Sequence, residues 1–168
     1  MAHPLVDQLQ FTRREFSRGL GGLSEEDATA HLGPMNCISW IVGHLAWHEQ
    51  KTWLTRAQDK VLYPDLNTRF AYRAPMCTPS LAEALKMWRE VTTTTEEFLE
   101  GLTSEILLSD LLNKGKSVGQ SYGSAMQRLI YHYWYHIGET QAIRQMLKNK
   151  NLAEYVGDIE KEAPYRPG

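Results

Sequence analysis

The chain of 168 residues has only two cysteines, Cys37 and Cys77, too few for a disulfide scaffold and without a CxxC partner for either. No apolar run approaches the roughly 18 residues that a membrane span requires. Neither charge sign is in excess: eighteen Lys and Arg against twenty Asp and Glu leave a net charge of −2. This balance argues against a nucleic-acid binder that relies on a strong basic field, and against an acidic tail. The N-terminal stretch MAHPLVDQLQFTRREF mixes acidic and basic side chains where a signal peptide needs an apolar segment. A soluble, cytoplasmic protein with no membrane and no nucleic-acid partner is expected. Repeats are absent, low complexity is confined to Thr92–Thr95, and no segment alternates for long enough to read as a strand.

What is present is an ordinary globular composition, 42% apolar and 23% charged, in one domain spanning 1–168. Helical spacing dominates. Pro4 suits the first turn of a helix marked by Leu5, Leu9, Thr12 and Phe16 and ended by Gly19, Gly21 and Gly22. Ser24-Glu-Glu-Asp27 reads as a capped helical turn. Asn36 is placed to cap a second long helix reaching about residue 58, apolar on most sides of its first half and therefore expected to be buried. A long loop is expected at about 59–79, broken by Pro64, Pro75 and Pro79. Ser80-Leu-Ala-Glu83 is a capping box, and Leu81, Leu85, Trp88, Thr92, Thr95, Leu99 and Leu102 continue from it as a bundle seam. A polar connection holds Gly115, Gly119 and Gly123. A fourth helix is expected from about Ser124 to Lys148, and an extended tail from about 151 to 168. The fold class is all-α, with a four-helix bundle as the default.

The histidines carry the functional signal. Four of the six, His44, His48, His132 and His136, form two i, i+4 pairs on expected helices. Random placement predicts about 0.2 such pairs. This spacing sets two side chains on one helix face, where both imidazoles can converge on one ion. His132 and His136 share the stripe of Leu129, Ile143 and Leu147, which lie within about 40° of one another at roughly 100° per residue, so both point inward. Such a pair needs a metal, or else backbone carbonyls, carboxylates or water, because unpaired buried polar groups are costly. His44, in the apolar stretch Ile-Val-Gly-His-Leu-Ala-Trp, adds a ligand from a facing helix. His48 reads as a fourth ligand, a group orienting a ligand, a general base, or a surface residue beside the Glu49-Gln50-Lys51 run. His3 and His31 are read as structural.

Asn-Cys-Ile-Ser-Trp-Ile-Val-Gly-His-Leu-Ala (36–46) and His-Tyr-Trp-Tyr-His-Ile-Gly-Glu (132–139) resemble the DinB/YfiT-like metalloenzyme superfamily, whose name is shared with an unrelated DNA polymerase and implies no polymerase activity. The resemblance spans nearly the whole chain in motif order. It implies a four-helix bundle of the DinB/YfiT-like type, often a homodimer, with metal ligands at His44, His132 and His136. Many members carry Gln where this chain has Glu139. Relatives include a mycothiol-dependent maleylpyruvate isomerase and bacillithiol transferases, which imply thiol chemistry at the metal.

Three neutral ligands leave the full +2 charge of a divalent ion and at least one open position, the arrangement of a catalytic site. Such an ion lowers the pKa of a bound water or thiol. Zn, Ni, Fe and Co all suit imidazole. Glu139, three residues after His136, is a candidate to orient a ligand or accept a proton. The leading reading is a divalent-metal-dependent S-transferase or isomerase using a low-molecular-weight thiol on a small-molecule substrate. The alternatives are a metal-activated-water hydrolase and a non-catalytic stress-related or binding protein whose metal is structural or absent. Gly119-Gln-Ser121-Tyr-Gly123 matches a nucleophile elbow but lacks the preceding strand, so Ser121 reads as a helix cap. Gly115-Lys116-Ser117 lacks the leading glycine of a P-loop, and His48-Glu49 does not extend to HExxH, because Thr52 stands at the last position. The five tryptophans read first as core.

Overall fold

Pro4 opens α1, Pro4–Gly19, with His3 as its N-cap accepting from the Leu5 N–H. The structure, a computed structural model, describes residues 2–167. Ser24 caps the short α2, Glu25–Thr29, by accepting from the Asp27 N–H. The third helix, α3 (Ile38–Glu49), is capped at Cys37 rather than Asn36, and no side-chain bond closes that end. Its burial on nearly all sides follows from its apolar sequence.

The helix does not run on to residue 58 in one form. At Gln50 it passes into a π-helical segment, Gln50–Arg56. Gln50 is buried there and clamps the chain after the helix: its Oε1 accepts from Leu62 N and Tyr63 N, and its Nε2 donates to Tyr63 O. The segment 59–79 contains one turn of helix, α4 (Leu66–Arg69), which inserts Leu66 and Phe70 into the core.

Ser80 caps α5, Leu81–Glu100, by accepting from the Glu83 N–H, but the Glu83 carboxylate bonds Arg69 and does not close the box. Thr92 and Thr95 are buried in the seam despite poor helix propensity. Their hydroxyls donate back to Trp88 O and Thr92 O, while Thr93 and Thr94 face solvent.

The polar connection holds α6 (Ser104–Leu108) and, against the expectation of no strand, a hairpin: β1, Asp110–Asn113, pairs antiparallel with β2, Lys116–Ser121. Lys114 and Gly115 both have positive φ, 50° and 76°, which is the backbone of a two-residue type I′ turn. Ser121 then caps α7, Tyr122–Met146, through the Ser124 N–H, so the Gly-x-Ser-x-Gly serine is a helix cap. The four long helices pack α1 on α7, α3 on α5 and α3 on α7.

The C-terminal segment departs from the expected extended tail. It forms α8, Ile159–Glu162, and is tied back along α1 by Gln8 to Ala163 O, Arg14 to Glu162, Glu15 to Gly157 N, and Asp7 to Arg166. Among the described residues no helix is long and apolar enough to cross a membrane.

Candidate metal centre

Trp40, His44 and Trp47 fall at i, i+4 and i+7 on α3, so they share one face. The His44 ring lies between the two indoles, stacked 4.8 Å from Trp40 and 5.2 Å from Trp47. These tryptophans therefore serve both core and site. Gly43 lets this wall form: a Cβ there would meet the Phe70 ring at 2.5 Å. With Phe70 seated against the glycine, its carbonyl oxygen lies 2.6 Å from His44 Nδ1.

From α7, His132 and His136 reach the same point. His132 Nε2 is 3.2 Å from His44 Nε2 and 3.0 Å from His136 Nε2. One ligand atom from each of the three rings lies within 4.8 Å of the others, a group able to hold a metal ion. Tetrahedral bonds of 2.0–2.1 Å would set nitrogens about 3.3 Å apart, close to the spacings seen.

The other nitrogen of each ring is engaged elsewhere. Phe70 O can only accept, so His44 Nδ1 carries the hydrogen and its Nε2 presents a lone pair. The Glu139 carboxylate lies 2.7 Å from His136 Nδ1 and assigns the same tautomer there. His132 Nδ1 lies 2.7 Å from His48 Nδ1. Among the three converging Nε2 atoms at most one hydrogen, from His132, can be shared. The remaining lone pairs face one another, which a cation between them resolves.

The electrostatics favour neutral rings. Burial above all, opposed by the Phe70 carbonyl, lowers the His44 pKa to about 4. Burial, then the neighbouring His44, Lys51, Arg128 and Arg56, lowers His48 to about 3. Burial and the three adjacent imidazoles bring His132 to about 2. Neutral imidazole is the form that binds a metal.

His48 is half-buried and points at His132, so it is not the surface residue the neighbouring charges suggested. Nor are those neighbours a solvated face. Glu49 is fully buried and takes two hydrogen bonds from Arg13, at 2.8 and 2.7 Å, and one from Tyr133 at 2.9 Å. Arg13 also donates to Thr95, and Trp88 donates to the Tyr133 hydroxyl. This buried chain of bonds ties α1, α3, α5 and α7 together one residue from His48. His3 and His31 lie elsewhere, the first capping α1 and the second bonded to Met35 O and Thr78.

Two clefts flank the three-histidine group, and both contain His44, His132 and Tyr72. One, of about 520 Å³, runs past His48 toward β2. The other, of about 530 Å³, runs past His136 and Glu139 toward Asn36 and Met76.

None of the curated proteins compared with the chain matches it. The family model of the DinB superfamily matches residues 8–140, which include all four clustered histidines and Glu139 and leave the α8 segment outside. With that match over most of its length, the chain belongs to the DinB superfamily.

Proposed function

We propose that this protein is a divalent-metal-dependent enzyme built on a four-helix bundle of the DinB/YfiT-like type, with His44, His132 and His136 as the metal ligands. The observation that carries this reading is the convergence of three Nε2 atoms whose Nδ1 partners are a carbonyl, an imidazole and a carboxylate. Such outer partners fix ring orientation and tautomer. A Zn, Ni, Fe or Co ion held by these three imidazoles would supply a positive charge able to lower the pKa of a thiol or water toward neutral pH.

Each surrounding residue then has a task. Glu139 accepts the His136 Nδ1 hydrogen and holds that ring in place. His48 does the same for His132. A conjugate acid with a pKa of about 3 makes His48 a weak base, which favours positioning over general-base work. Trp40 and Trp47 keep water from the faces of His44.

Two clefts meeting at one centre suit two reactants. This supports transfer or isomerisation with a low-molecular-weight thiol over hydrolysis, which needs one organic substrate. The chain acts as a homodimer in this reading, and exposed Tyr131 and Tyr135, one turn apart on α7, support such an interface. Sedimentation tests that state.

Metal analysis of untagged protein tests the reading directly. Native protein should carry about one equivalent of a divalent metal, and His136→Ala should carry little. Equal content in both refutes the site. A screen of thiols against electrophiles should then give thiol-dependent turnover, whereas turnover without thiol assigns the hydrolase. No turnover, with a large loss of melting temperature on chelation, assigns a structural metal.

A further inference from the structure

Beyond His132 the cleft toward β2 changes character. It is walled by Lys51 and Arg56 from the π-helical segment after α3 and by Arg128 from α7. The placement of these cations follows from helix geometry on both sides. Arg128 stands four residues before His132, one turn along the same face of α7. Lys51 stands three residues after His48, just past the end of α3 in the π-helical segment.

Arg56 needs the π-helical segment. Residues five apart on an α-helix point about 140° away from each other. In a π-helix the hydrogen bonds run i→i+5, so residues five apart come round to the same side. Gln50–Arg56 is π-helical, and this register brings Arg56 to the cleft that Lys51 already lines. The irregular turn thus aims a second cation into the cleft.

Among the described residues these three side chains have no acidic partner. Among the described residues the arginines Arg13, Arg14, Arg18 and Arg69 each pair with a carboxylate, but Lys51, Arg56 and Arg128 do not. Lys51 sits over the Trp47 ring, its Nζ 4.5 Å from the centroid. Burial, and then Arg56 and Arg128, holds its ammonium pKa below the usual lysine range. Arg56 is lowered in the same way by burial and Arg128. A protein with more acidic than basic residues has gathered three uncompensated cations at one mouth, where they repel one another.

The geometry points to an oxyanion subsite: Lys51, Arg56 and Arg128 bind the carboxylate or phosphate group of a small-molecule reactant whose other end reaches the three-histidine group. Arginine guanidinium groups suit either oxyanion through paired N–H donors, and the lysine adds a point charge. One helical turn, about 5.4 Å, separates the Arg128 level from that of His132. The anionic group therefore sits a few bonds from the reacting atom, not on it. The anion as part of the substrate rests on the proposed metal-dependent activity; the anion site itself does not.

The test uses the full chain, once with its metal and once after chelator treatment. Binding of inorganic phosphate and of succinate is followed by calorimetry and by the rise in melting temperature, with succinamide as the neutral counterpart. Either oxyanion should bind saturably in both metal states, more weakly as sodium chloride rises, and succinamide should not bind. Binding should weaken at least about tenfold in the Arg56→Gln/Arg128→Gln double variant. Its metal content should be unchanged and its melting temperature no lower, because like-charge repulsion is relieved. Lys150→Gln, beyond the C-terminal end of α7, should bind as the native chain does. Phosphate alone binding identifies phosphorylated reactants, and succinate alone identifies carboxylates. No saturable binding of either overturns the proposal, as does equal affinity in the double variant or phosphate binding that vanishes with the metal. Loss of metal binding in the native chain with the anion site intact would overturn only the metal reading.

Discussion

His48 Nδ1 stands 2.7 Å from His132 Nδ1, joining the two i, i+4 histidine pairs across α3 and α7. This contact leaves His132 Nε2 as the nitrogen that faces His44 and His136. A ring free to turn would present either nitrogen. His48 removes that choice without itself joining the three-nitrogen group.

Removing that partner should loosen the metal without abolishing the site. His48→Ala is expected to weaken metal affinity by about 10–100-fold, the usual effect of losing a residue that orients a ligand. His48→Gln, whose amide oxygen can accept from His132 Nδ1, should recover part of the loss. His132→Ala should abolish binding. Competition with a chromophoric chelator measures all three, and native affinity in His48→Ala would refute the role.

Gly43→Ala should damage the fold and the centre together. The new Cβ would meet the Phe70 ring at 2.5 Å, and Phe70 carries the carbonyl that bonds His44 Nδ1. Overpacking of this kind costs about 1–3 kcal/mol. Denaturant unfolding should show that loss, and chelator competition should show weaker metal binding in the folded protein. Native values in both would mean that Phe70 moves freely.

The Arg13–Glu49 pair predicts a non-additive response. Glu49→Leu leaves the Arg13 charge buried without its carboxylate, at a cost of about 3–5 kcal/mol. Adding Arg13→Met should restore more than half of the stability, because two apolar side chains replace two buried charges. A double-mutant cycle in urea reads the coupling. Additive losses would show that the pair does not act as a unit.

Acid should destabilise the metal-free protein through its histidines. Folded-state pKa values of about 4, 3 and 2 for His44, His48 and His132 lie below the ordinary 6.5. Between those limits the unfolded chain binds protons that the folded chain refuses. The stabilisation is therefore complete above about pH 6.5 and is lost as pH falls toward 4 and below. Melting temperatures of chelator-treated protein between pH 7.5 and 4.5 should fall, and fall less in His48→Gln. An equal slope in both proteins would exclude His48 from the effect.

Helix ends and histidine spacing were legible in the sequence because both are local. Pro4, Ser24, Ser80 and Ser121 act within one turn of chain, and the structure finds each at a helix start. The His132–His136 row needed only the helical period. Asn36 misled because a good cap residue one position early looks the same in sequence as the true start at Cys37. The hairpin was hidden because its strands are short and do not alternate, and only its Lys114–Gly115 turn carries a signal.

Sequence alone determined that this chain is helical and that two histidine rows lie on separate helices, since periodicity is a property of neighbours along the chain. Tertiary structure decided which nitrogen of each ring faces the centre, that Phe70 supplies a carbonyl, and that Glu49 is buried beside Arg13. It also decided that the π-helical turn swings Arg56 into the cleft. Ring orientation, burial and helix register depend on atoms brought together from distant segments, and no local pattern encodes those contacts.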